Sequence, residues 1–131
     1  MSVHLAVAAV VLALVVPGDH ATATYSGHTL KLTLQYEMIC GQPGPGPLVV
    51  RLPSSFRLAG VRAFVRGVER ARAVNDSTVT IDLPKPPQIT CMSITEGTLP
   101  VKLTNVRATG GTYTVKAQIR RHAFVARLRI R

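Results

Sequence analysis

Beyond residue 23, the side chains able to bind a soft metal or do redox chemistry are Cys40, Cys91, Met38, Met92, His28 and His122. Copper accepts donors of these types, so an exported copper or other metal carrier is one chemistry to weigh. No His or Cys cluster gathers them, and Met38 has the parity of an apolar strand face, where methionine fills core. The two cysteines have a second use. In an oxidising compartment an even cysteine count pairs, and a bridge between Cys40 and Cys91, closing a loop of about 52 residues, would contribute roughly 4 kcal/mol through the entropy of the unfolded chain. A free thiol pair or a soft-metal site is the alternative.

Catalysis finds less material. The chain contains no Gly-x-Ser-x-Gly elbow, no Gly-rich phosphate loop and no His-Glu-x-x-His, and nothing local pairs a nucleophile with a base. An enzyme is not expected, and no cofactor is implied. The aromatic residues are Tyr25, Tyr36, Tyr113, Phe56, Phe64 and Phe124. At least three fall on apolar strand faces, which leaves too few for a sugar-stacking platform or for specific nucleic-acid binding.

Charge is the chemistry that remains. The chain of 131 residues carries 16 Lys plus Arg against 6 Asp plus Glu, a formal net charge of +10. Arg51, Arg57, Arg62, Arg66, Arg70 and Arg72 crowd one stretch with only Glu69 among them, and Arg120, Arg121, Arg127, Arg129 and Arg131 crowd the C-terminal part with no acid. Such residues either solubilise a surface or form a face for an anionic partner: a cell-wall polymer, an acidic glycan, a lipid headgroup or another surface protein. Arginine suits the second use because its planar fork pairs with carboxylate or phosphate. The candidate anion-binding residues are Arg127, Arg129 and Arg131, together with Arg62, Arg66 and Arg70. On a strand the first three emerge on one side about 6.5 to 7 Å apart, where they could track a polyanion or protect an exposed sheet edge from pairing.

Strands must position these residues. Strict apolar/polar alternation predicts strands at residues 30–38, 78–83, 112–119 and 124–131, each with one buried face. Weaker segments fit at 48–52, 61–65, 89–94 and 98–103. Turn chemistry separates them at residues 41–47 (GQPGPGP), Asn75-Asp76, 84–87 (PKPP), Glu96-Gly97, Gly110-Gly111 and 120–122. Residues 58–74 admit two readings. Val61, Phe64, Val65, Val68 and Ala71 have helical spacing, with Arg62, Arg66 and Arg70 recurring on another face. Gly60 and Gly67 interrupt that helix, and the preferred reading is two short strands joined near Gly67, followed by a hairpin into residues 78–83.

Ahead of all this, residues 5–16 form a continuous apolar run, followed by Pro17-Gly18 and the small-x-small site Ala21-Thr22-Ala23. Twelve residues rise about 18 Å as a helix, well short of a hydrocarbon core of about 30 Å. The run reads as a signal peptide spanning 1–23 rather than a transmembrane anchor, leaving a single domain at 24–131 that is secreted or extracytoplasmic.

The run Gly110-Gly111-Thr112-Tyr113-Thr114-Val115, preceded by Leu103-Thr104-Asn105-Val106, resembles the late strands of bacterial secreted immunoglobulin-like domains. Residues 49–56 (VVRLPSSF) are similar to the strand that ends in Leu-Pro in the same broad group. The resemblance implies an extracytoplasmic setting and an immunoglobulin-like antiparallel β-sandwich, all-β, of about seven to nine short strands. It carries over no active residue, because such sandwiches host many functions. The expected protein is a small, secreted, noncatalytic and basic module of surface association.

Overall fold

Alternation of large apolar with polar residues drives this chain into strands, and the computed structural model describes them over residues 19–39, 46–85 and 93–131. The strands are β1 (His20–Ser26), β2 (Thr29–Ile39), β3 (Gly46–Arg51), β4 (Arg62–Val65), β5 (Val68–Arg70), β6 (Arg72–Asn75), β7 (Thr78–Leu83), β8 (Ile94–Thr104), β9 (Gly111–Ile119) and β10 (His122–Ile130). They form two antiparallel five-stranded sheets, A in the order β1-β2-β8-β4-β5 and B in the order β10-β9-β3-β7-β6. The fold is an all-β, immunoglobulin-like antiparallel sandwich.

Between the sheets lie the alternate residues of the central strands. Leu30, Leu32, Leu34 and Tyr36 of β2 meet Leu99, Val101 and Leu103 of β8 on the inner face of sheet A. Leu48 and Val50 of β3, Val79 and Ile81 of β7, Val115 and Ile119 of β9, and Phe124 and Leu128 of β10 line sheet B. No charged residue belongs to this core cluster. Burial of this kind is worth about 25 cal/mol per Å² of apolar surface, so shifting one strand by a residue would expose its whole inner row.

Two-residue turns set the register of four hairpins. Ser26 is opposite Thr29, Val65 opposite Val68, Asn75 opposite Thr78, and Ile119 opposite His122. In the first two, both turn residues have positive φ: 58° and 61° at Gly27 and His28, 52° and 80° at Arg66 and Gly67. Asp76 and Arg120 lead the other two turns at 55° and 53°. These are the turn conformations whose twist matches that of paired strands. On the side of the sandwich formed by β5 and β6, Ala71 alone joins the two strands, so the chain crosses from sheet A to sheet B in one residue. Its carbonyl already accepts from Asp82 N–H of β7 at 3.1 Å.

The segment 58–74 thus holds strands from Arg62 onward rather than a helix, with Arg66-Gly67 as the turn between β4 and β5. Two expectations need correction. Glu96-Gly97 is not a turn: β8 runs through it, paired with β2 along its whole length, and Gly97 lies opposite the buried Tyr36. Ten strands are described rather than seven to nine, because residues 68–75 divide between the two sheets and β1 adds a strand. β1 starts at His20, four residues ahead of Thr24, where the mature domain is expected to begin. Ala21, Ala23 and Tyr25 pack against the core, and Asp19 Oδ2 sits 2.7 Å from His122 Nδ1 with its side chain fully covered.

Residues 5–16, Cys40, Cys91, Met92 and most of the two Pro-rich connections lie outside the described residues. The strand ends beside the cysteines are described. Ile39 and Ile94 are Cα partners in the β2–β8 ladder, one residue before Cys40 and three after Cys91. The ladder therefore brings these two strand ends together at one end of sheet A. Titration of the air-exposed, unfolded chain is expected to find no free thiol, and two thiols per chain would rule the bridge out.

A chain starting at Thr24 loses four residues of β1 and the Asp19–His122 contact. It is expected to melt roughly 10 °C below a chain starting at Asp19, which corresponds to about 2 kcal/mol for a domain of this size. Equal melting temperatures would show that the first half of β1 contributes nothing.

Candidate basic interaction face

Strand register decides which of the scattered cations meet. On the outer face of sheet B, Arg51 of β3 and Lys116 of β9 are direct partners, and Val125 of β10 completes that row. One outward position along β10 stands Arg127, opposite Thr114, and the next is Arg129, opposite Thr112. Strand spacing of about 4.8 Å and an outward repeat of about 6.8 Å put Arg127 roughly 8 Å from Lys116. Arg129, Arg127, Lys116 and Arg51 therefore form a bent line of about 20 Å, and all four are exposed. Arg131 follows β10 as a further exposed cation. The acid on the strands of this face is Asp82, opposite Pro47 and about 13 Å beyond Arg51. The rest of the surface near the line is mainly Thr, with no aromatic side chain.

The other three candidate arginines lie on the β4–β5 hairpin at the edge of sheet A and do not join this line. Arg62 is engaged: its Nε and Nη2 donate to Glu69 Oε2 and Oε1 at 2.9 and 2.6 Å, a bidentate fork. This contact holds the Glu69 carboxyl below the usual carboxylate range and raises Arg62. Arg62 and Lys102 also flank the half-buried Phe64 ring, at 5.5 and 5.1 Å from its centroid. Arg66 occupies the hairpin turn and donates from Nη2 to the Tyr36 hydroxyl at 3.4 Å. Burial pushes that phenol up, and the arginine offsets part of the rise. Arg70 Nε is buried with no hydrogen-bond partner among the described residues.

The potential metal donors are dispersed. His28 is in the β1–β2 turn, while His122 opens β10 beside Asp19, roughly 20 Å away along β1. Met38 is core. Among the described residues no group of three or more His, Cys, Asp or Glu could hold a metal ion.

Arg51 and Lys116 were readable in principle, since each is the polar member of an alternating strand. What a single sequence lacks is the pairing of β3 with β9, which turns two unrelated positions into neighbours. Arg107 carries no such signal, because it falls between strands. It nevertheless pairs with Arg57 in an isolated β-bridge.

No protein family matches the chain, and no curated protein matches it. Solved structures do. The bacterial hydrophobin BslA is similar over 86% of this chain and 98% of its own, with a TM-score of 0.52 at 20% identity. A non-cellulosomal cohesin from the hyperthermophilic archaeon Archaeoglobus fulgidus aligns over 86% of this chain and 89% of its own, with a TM-score of 0.44 at 11% identity. The collagen binding subdomain ACE19 of the Enterococcus faecalis surface protein ACE aligns over 88% and 98%, with a TM-score of 0.41 at 9% identity. At these identities the BslA likeness establishes the shared fold and nothing finer.

The Arg62–Glu69 fork gives a titration with a definite sign. A carboxyl lowered in the folded state contributes stability above its ordinary pKa, and that contribution disappears as pH falls through the lower folded value. Carbon-detected NMR is expected to show Glu69 titrating below the ordinary glutamate value of about 4.3 and returning to it in Arg62→Gln. No change in that variant would mean the fork does not persist in solution.

Proposed function

We propose that this chain is a noncatalytic, extracytoplasmic module of surface association that docks on anionic partners through the outer face of sheet B. The observation carrying this reading is the register that places Arg51, Lys116, Arg127 and Arg129 in one exposed line with a single acid at its far side. A flat sheet face with long, mobile cationic side chains suits an extended polyanion, since successive anionic groups can be met along the line without a pocket. BslA supports the choice of scaffold, and charge placement supports the choice of partner.

Binding of this type is governed by screening. Affinity for an immobilised anionic polymer is expected to fall roughly 10- to 100-fold between 50 and 200 mM salt. It should fall further when Arg127, Arg129 and Arg131 are all replaced by Ser. A chain that ignores such polymers at low salt, or a triple variant that binds as well as the parent, overturns the reading.

A second reading has its own support. β10 is an edge strand of sheet B, and a row of like charges on an edge opposes pairing with another chain. Self-association of the triple Ser variant, measured by sedimentation, is the outcome expected of edge protection; loss of polymer binding from a variant that stays monomeric is the outcome expected of docking.

A further inference from the structure

Arg57 and Arg107 face each other across the isolated β-bridge at one end of the sandwich. Arg57 N–H donates to Arg107 O at 2.8 Å, and Arg107 N–H to Arg57 O at 2.9 Å. A residue pair that exchanges both hydrogen bonds has its Cα atoms about 5.5 Å apart and its side chains on the same side. Of the adjoining residues, Phe56, Leu58 and Val106 are buried and Ala108 is half-buried against the core, so both arginines point away from the core, and both are exposed. Two arginine side chains thus start from the same side of directly paired residues, a placement that is unfavourable for like charges.

The backbone cannot relieve this by opening. Val106 N–H donates to His28 O at 2.9 Å and its carbonyl accepts from the Tyr25 hydroxyl at 2.7 Å. Asn105 Nδ2 donates to Gly60 O at 3.0 Å, and Val61 N–H to Leu58 O at 3.0 Å. Asn105 thus ties the two segments together beside the bridge, Val106 anchors the Arg107 segment to the β1–β2 hairpin, and the Val61–Leu58 bond closes the turn that follows Arg57.

Nor does the chain supply a counter-charge. Its six carboxylates all fall among the described residues. Asp19 is bound to His122 and Glu69 to Arg62. Glu37 and Glu96 are opposite each other near the other end of the β2–β8 ladder, about 25 Å away. Asp82 lies in β7. Asp76, in the β6–β7 turn, lines a groove with Leu58, Ala59 and Gly60 but forms no ion pair with either arginine.

We infer that the Arg57–Arg107 bridge is a binding site for a phosphate or sulfate group. Two planar forks carried by the bridged segments offer more N–H donors than one carboxylate can use, because a carboxylate is already matched by a single guanidinium. A tetrahedral oxyanion offers three or more acceptor oxygens and can satisfy both forks at once. Neutralising the pair relieves the like-charge opposition that the bridge imposes, and with the backbone already held only the two side chains are ordered on binding. This site is separate from the line on sheet B and does not depend on it.

The test is a titration of the full chain with inorganic phosphate at constant ionic strength, following the arginine Nε–H signals by NMR. Arg57 and Arg107 are expected to shift together along one saturable curve, with acetate producing no saturable shift. Arg107→Gln keeps the backbone bridge and should weaken the Arg57 response at least tenfold, and the Arg127, Arg129, Arg131 triple Ser variant should leave it intact. If Arg107→Gln fails to fold, Arg57→Gln followed at Arg107 is the same test. The thermal midpoint should rise with phosphate in the parent and not in the Gln variant, because a ligand bound only to the folded state stabilises it. A non-saturating shift shared equally with Arg51 and Arg127, or a phosphate-dependent rise in midpoint that survives in the Gln variant, overturns the site. Competition by a polyphosphate chain, by phosphatidylglycerol vesicles or by neither then assigns the bound group to a polymer, a bilayer or the free ion.

Discussion

Everything in this molecule follows from a core that admits no charge. Each central strand contributes alternate apolar residues to the space between the sheets, and the cost of burying an ion there forces every arginine and lysine onto an outer face, an edge or an end. With so few carboxylates in the chain, most of those cations cannot be paired internally. Where the strands lie therefore decides what the charge can do, and sheet order is as much a determinant of the surface as the sequence itself.

The two arginine crowds seen along the chain dissolve once that order is imposed. Arg62 is neutralised by Glu69 across a hairpin, Arg66 is turned toward Tyr36, and Arg72 donates from Nε to Val61 O at 2.8 Å. Arg127 and Arg129, from the other crowd, acquire Arg51 and Lys116 as neighbours. Arg57 leaves its own crowd to meet Arg107. Three separate electrostatic environments arise from residues that look like two clusters in one dimension. The acids are segregated as well, with Glu37 and Glu96 facing each other toward the end of sheet A opposite the Arg57–Arg107 bridge.

Much of the fold was legible because period-2 alternation with Leu, Val and Ile leaves little freedom: β2, β7, β9 and β10 follow it closely. The split of residues 58–74 into strands could be read from Gly67 and from the hairpin into β7. Other features were hidden for physical reasons. β1 alternates Ala with Thr, a contrast too weak to stand out beside an apolar leader, and it is stabilised by pairing with β2 rather than by its own pattern. Gly97 looks like a turn residue, yet eleven residues of β2 provide a template that carries β8 straight through it. The candidate site was half legible. Parity correctly placed Arg127 and Arg129 on one outer face, whereas the contribution of Arg51 and Lys116 rests on pairing between distant strands, and Arg107 rests on a bridge outside any strand.

The mixture of tight hairpins with one long ladder also dictates an order of assembly. β1–β2, β4–β5, β6–β7 and β9–β10 are each closed by two residues, and such hairpins form in about 1 to 10 µs. The β2–β8 ladder joins residues roughly 55 to 75 positions apart, so its loop-closure entropy has to be met before its contacts return anything. Topologies dominated by pairings of this range fold in milliseconds to seconds. Until β8 docks, β2 and β4 lack the strand that joins them in sheet A, on a chain whose like charges repel its copies. The same excess of arginine that decorates the finished surface thus opposes association between copies of the chain during that slow step.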